Sequence, residues 1–177
     1  MSSHDVGAPA GLPWHQRGLF WSWLSVLVIL LDQITKHAVV WTFAEREVLP
    51  ISPFFNLTLV YNPGAAWSFL ADAGGWQRWF FVGVAVVASV VLIGWLRSLR
   101  RTERCISVAL ALILGGALGN LYDRIVLGKV VDFLDFYWGS AHFPAFNVAD
   151  SAITVGAAMM IIDMFLPRSA PASTPDS

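Results

Sequence analysis

Long apolar runs, interrupted by polar residues at a few places, set the pattern of this chain. Residues 19–43 are mostly apolar but contain Asp32, Lys36 and His37, whereas 79–96 and 105–122 are two runs of 18 residues without a charge. Such runs are long enough to cross a bilayer as helices. A fourth apolar stretch, 143–166, places Asp150 and Asp163 at either end of an uncharged SAITVGAAMMII. It spans only if those carboxylates lie at the two interfaces. Four transmembrane helices are therefore expected, the first retained as an anchor because it is too long for a signal-peptide core and no small-x-small cleavage site follows it.

Between the first two spans the period changes. In FNLTLVYN, at 55–62, Phe55, Leu57, Leu59 and Tyr61 alternate with polar or smaller residues, the period of a strand. Pro50 and Pro53 limit the strand before it, and Asn62-Pro63-Gly64 reads as a turn. Residues 65–73 are expected to form a short helix ended by Gly74 and Gly75. The tail, 169–177, is small, polar and proline-rich, the composition of a disordered segment.

Composition agrees with a membrane protein: 56% of the 177 residues are hydrophobic and 13% charged, about half the charge of a soluble domain. Eleven Lys and Arg against twelve Asp and Glu leave no basic surplus for nucleic-acid phosphates, so no nucleic-acid partner is expected. The single cysteine, Cys105, excludes an internal disulfide and a cysteine-based zinc cluster. Arg97, Arg100, Arg101 and Arg104 crowd the loop between spans two and three, while Arg17 and Arg168 flank the chain-terminal ends of spans one and four. By the bias of Lys and Arg towards the cytoplasm, both termini are expected there, with segments 42–78 and 125–146 outside.

Ionisable groups at membrane depth cost about 2.5 to 3.5 kcal/mol each on insertion scales, which makes them functional candidates. Asp32, Asn120, Asp123, Arg124, Asp132 and Asp150 converge on the outer end of the spans. Each also has a plain structural role open to it. Asp32 and Lys36, four residues apart on one helix face, can neutralise each other. Asn147 and Asp150 have the spacing of a helix N-cap with its third-position acid. Gly115 and Gly119 suit close helix packing, Asp123 and Arg124 a helix-end charge pair, Asp135 a solvated loop acid and His142 an exposed loop histidine. What these roles do not explain is that two carboxyls, Asp132 and Asp150, come to the mouth of one helix pair with no lysine or histidine beside either in sequence. Close together at low dielectric they would share one proton, the ionised member activating water and the protonated one polarising a carbonyl. No GxSxG elbow, HExxH motif or other metal-ligand spacing is present, so neither metal nor cofactor is expected. A Ser151–Lys36 pair, a proton-relaying transporter and a non-catalytic scaffold are the rivals.

Four segments then carry a resemblance: LDQITK at 31–36, VYNPGAAWSF at 60–69, GGALGNLYDRIVLGKVVDF at 115–133 and FPAFNVADSAI at 143–153. In order and spacing they closely resemble the motifs of bacterial lipoprotein signal peptidase, signal peptidase II. The resemblance implies an intramembrane aspartic endopeptidase of the bacterial inner membrane that cuts prolipoproteins just before their diacylglyceryl-modified cysteine. It implies Asp132 and Asp150 as the catalytic pair. Asn62, Asn120 and Arg124 are implied to hold the substrate backbone or lipid-side groups, the turn residue Gly64 being grouped with them, while Asp32, Lys36, Asp123 and Asn147 support the site. The expected fold class is an all-α polytopic membrane protein with four transmembrane helices, a small extracytoplasmic β-sheet cradle and a short surface helix, Trp67, Phe69 and Trp76 contributing to cradle and lid. Expected divisions are a cytoplasmic N-terminal segment 1–18, a membrane peptidase domain 19–166 and a disordered cytoplasmic tail 167–177. Expected partners are the diacylglyceryl-prolipoprotein and membrane phospholipid, with the enzyme acting as a monomer.

Overall fold

The computed structural model describes residues 12–64 and 75–165. The expected short helix at 65–73, with Trp67 and Phe69, and the expected tail lie outside the described residues. Among the described residues, four helices are long and apolar enough to cross a membrane: α1 (Ser22–Thr42), α2 (Trp76–Ser98), α3 (Arg104–Val126) and α4 (Val148–Phe165). Two short 3-10 turns, Trp14–Gln16 and Gly18–Trp21, lead into α1.

The second and third helices run a few residues past their uncharged cores, because flanking polar residues continue the backbone ladder at the interface. The fourth begins later than its apolar run, since residues 143–147 serve as a strand partner and a cap. Helix α3 is the centre of the bundle: 56% of its most apolar window is buried, against 17% for α2 and α4. Small residues let its neighbours approach. A Cβ on Gly115 would lie 2.9 Å from the Ser25 carbonyl oxygen of α1, and one on Gly156 of α4 would lie 2.6 Å from the Ala109 carbonyl oxygen of α3. Leu92, Leu96, Leu99, Leu110 and Leu114 fill the α2–α3 seam.

Four antiparallel strands form one sheet in the order β1 (Val48–Ser52), β2 (Phe55–Asn62), β3 (Val130–Trp138), β4 (Ala141–His142). Strand β2 matches the alternating run residue for residue. Pro50 does not end β1 but lies within it, which an edge strand allows because one side needs no backbone donor. The segment after α3, where no alternation marks a strand, forms a nine-residue strand. Val130, Val131, Asp132 and Phe133 are consecutively buried, so burial on both faces erases the alternation that would mark a strand. Leu59, Val131 and Phe133 pack with Val39 of α1, which seats the sheet on the helix ends.

Candidate active site

Lys36 stands at the centre of the polar cluster, 2% exposed. Its ammonium lies 2.8 Å from Asp32 Oδ2 and 2.8 Å from Asp123 Oδ2, and donates to Asn120 Oδ1 at 2.9 Å. Three donors thus meet three acceptors, as a buried ammonium requires. The Asp32–Lys36 neutralisation is real, but Asp123 pairs with Lys36 rather than with Arg124. Adjacent helix residues point in different directions, and Asp123 faces α1. Gln33, which the motif pattern did not single out, donates to Asp32 Oδ2 at 3.2 Å and Asp123 Oδ1 at 2.9 Å.

Each aspartate of this triad also accepts a hydrogen bond from a backbone N–H beside a candidate catalytic residue. Asp32 Oδ1 accepts Ala149 N–H at 2.9 Å, one residue before Asp150, and Asp123 Oδ2 accepts Val131 N–H at 3.2 Å, one residue before Asp132. Gly119 makes the first contact possible: a Cβ there would lie 2.8 Å from Asp32 Oδ2.

Asp132 lies on β3, 2% exposed, rather than in a loop. Its Oδ1 accepts Asn147 Nδ2 at 2.7 Å and its Oδ2 accepts Asn62 Nδ2 at 3.2 Å. Asp150 Oδ1 accepts Asn120 Nδ2 at 2.7 Å. The predicted cap is also present: Asn147 Oδ1 accepts Asp150 N–H at 2.9 Å, and Asp150 Oδ2 accepts Asn147 N–H at 3.3 Å. Asn147, fully buried, therefore joins the two carboxyls, holding one by its amide and the other through the cap. Neither carboxyl has an ion pair among the described residues. Burial, and next the charge of Asp150, push the Asp132 pKa up to about 7, against lowering by its bonds to Asn62 and Asn147 and by the charge of Lys36.

Asn62 ends β2 and also accepts Gly64 N–H at 2.9 Å through Oδ1, closing the expected turn. Gly64 has φ 104°, and a Cβ there would meet the Phe81 ring at 2.7 Å. Arg124 donates to the Asn120 carbonyl at 3.2 Å, and its guanidinium carbon lies 5.2 Å from the Phe81 ring centroid. Phe81 was not legible as a site residue, sitting inside an uncharged run. The Ser151–Lys36 alternative fails on geometry, since Ser151 Oγ donates to the Asn147 carbonyl at 2.9 Å and Lys36 is saturated.

Two groups depart from expectation. Asp135 is not a solvated loop acid: it is 7% exposed on β3 and accepts Asn56 Nδ2 at 2.8 Å. His142 is exposed as expected, but its Nδ1 lies 2.9 Å from Asp135 Oδ1, pinning β4 to β3. Asp163 sits on the far end of α4 from Asp150.

Residues 24–166 match the family described as Signal peptidase (SPase) II. The chain belongs to the signal peptidase II family. The lipoprotein signal peptidase of Alteromonas mediterranea is 55% identical over 150 residues, covering 85% of this chain and 82% of that protein. That of Pseudomonas putida is 58% identical over 152 residues, covering 83% and 87%. Among solved structures, a bacterial membrane enzyme determined by the in meso method at 2.3 Å superposes with a TM-score of 0.74 at 32% identity, covering 84% of this chain and 90% of the other. Signal peptidase II is a membrane peptidase of the aspartic type whose role is to cleave prolipoprotein signal peptides.

Proposed function

We propose that Asp132 and Asp150 are the catalytic pair of this signal peptidase II, cutting the amide bond just before a diacylglyceryl-modified cysteine at the outer face of the bacterial inner membrane. The observation that carries this reading is the pair of carboxyls joined through Asn147, each held by neutral amides and neither by a cation. Such a pair keeps one proton between its members. Burial raises the Asp132 pKa, so Asp132 can bear that proton. It donates to the scissile carbonyl oxygen while the other carboxylate takes a proton from the attacking water, giving a gem-diol. The carbon–nitrogen bond then breaks. The proton taken from water passes to the leaving cysteine nitrogen, and a gem-diol proton returns to the first carboxyl, restoring the pair.

The supporting residues divide the remaining work. The Lys36 triad sets the positions of the segments carrying both aspartates, and Arg124, beside them and free of an ion pair among the described residues, holds the substrate backbone or lipid-side groups together with Asn62 and Asn120. The arginine-rich loop between α2 and α3 supports a cytoplasmic position for both termini. Residues 1–18 and 167–177 then flank the peptidase domain on the cytoplasmic side. A monomer suffices, since both carboxyls and their supports come from one chain, with phospholipid covering the exposed helix faces.

The diacylglyceryl group serves to hold the scissile bond at the depth of the carboxyls, raising its local concentration there. Incubation of the purified protein with lipidated and unlipidated forms of one precursor, followed by mass analysis, tests the reading. Efficient cleavage before the lipidated cysteine alone is expected; equal turnover of both forms would refute it.

A further inference from the structure

The end of the bundle remote from Asp132 and Asp150 gathers positive charge that the peptidase chemistry does not use. Asn120 lies ~24 Å along α3 from Arg104, at 1.5 Å per residue. Arg97, Arg100, Arg101 and Arg104 fall between the end of α2 and the start of α3, and Arg17 joins them through a backbone bridge to Arg100. None of these arginines makes an ion pair among the described residues. Glu103, the acid among them, is turned to the backbone N–H of Arg100 at 2.7 Å. The whole chain has a formal charge of -1, so the concentration is local.

Arg17 is directed inward, donating to the Leu12 and Arg97 carbonyls at 2.8 and 3.1 Å. Arg101 is fixed instead: its guanidinium carbon lies 3.6 Å from the Phe20 ring centroid, its N–H donates to the Gln16 carbonyl at 2.9 Å, and its carbonyl accepts Trp21 Nε1 at 3.4 Å. Beside it Trp21, Arg101, Thr102 and Arg104 line a cleft of about 430 Å³. A cleft with two arginines thus opens at this end of the bundle, with a tryptophan in its wall, where interfacial aromatics stand.

We infer that this cleft holds the phosphate head group of an anionic phospholipid. Arg101 and Arg104 supply guanidinium donors matched to phosphate oxygens, and Thr102 a hydroxyl. Basic pockets at helix ends select anionic head groups on this principle, whereas a zwitterionic head group carries its own cation towards the arginines.

Native mass spectrometry of the full chain in neutral detergent, titrated with phosphatidylglycerol or with phosphatidylcholine of the same chains, tests the site. Phosphatidylglycerol should be retained preferentially, with a loss of about five-fold in apparent affinity for Arg104→Gln and more for Arg101→Gln/Arg104→Gln. Arg97→Gln/Arg100→Gln removes the same charge outside the cleft and should cost less. Cleavage of prolipoprotein by all these variants, expected at wild-type rate because the carboxyls lie at the other end, checks that each is folded; Arg104→Gln alone, an exposed substitution, keeps the test valid if the double variant is not. Equal retention of the two lipids, equal losses in the two double variants, or full displacement of bound lipid by inorganic phosphate would overturn the inference.

Discussion

Replacing Lys36 by methionine removes the one cation among three buried acceptors. The side chain volumes are similar, so packing changes little, but Asp32 and Asp123, 0% and 1% exposed, lose their counter-charge. Breaking a buried ion pair from one side costs about 3–5 kcal/mol, because the remaining charge is left uncompensated. The same aspartates hold the N–H groups of Ala149 and Val131, next to Asp150 and Asp132, so the loss should also displace both catalytic candidates. Unfolding of the detergent-solubilised protein, followed through its nine tryptophans, should show a markedly lower midpoint, and turnover should fall with it. Adding Asp123→Asn to Lys36→Met should recover part of the stability, since it removes one stranded charge; such non-additivity is expected of contacting groups. A Lys36→Met protein with unchanged unfolding and turnover would refute the proposed role of the triad.

The pH profile of cleavage should fall as pH rises through about 7, where Asp132 loses the proton that the pair needs, and Asn62→Ala, by removing a bond that lowers this pKa, should move that limb upward; a flat profile across this range, or no shift in the variant, contradicts the assignment. Gly116→Ala should destabilise the α3–α4 contact by about 1–3 kcal/mol, because its Cβ would collide with the Ala149 carbonyl, and thermal unfolding should read this as a clear decrease.

The parts of this fold legible in sequence are those whose cause is local. Long apolar runs revealed the four spans, and β2 was legible because it alternates. Strand β3 was not, since its two-sided burial depends on α1, β2 and α4 arriving from distant parts of the chain. The same limit hid the partners of Asp123 and Asp135. Asp123 meets Lys36 across two helices, and Asp135 meets Asn56 across a strand pair, neither of which sequence spacing encodes. The Asn147–Asp150 cap was legible from spacing alone, yet the cap and the catalytic assignment had looked like alternatives. In the structure Asp150 uses Oδ2 for the cap and Oδ1 for Asn120, so one residue can serve both.

That double use makes one substitution decisive. Asparagine keeps a side-chain carbonyl oxygen that can accept the Asn147 N–H, so Asp150→Asn should leave the start of α4 intact. It nevertheless removes the proton-transferring oxygen. The measurement is the single-turnover rate of Asp150→Asn, and of Asp132→Asn beside it, on a diacylglyceryl-prolipoprotein, with unfolding and substrate binding followed in parallel. Folded proteins that bind the precursor but do not cleave it, with the double variant little worse than either single one, are the predicted result. A folded Asp150→Asn enzyme that cleaves at near wild-type rate would contradict the account.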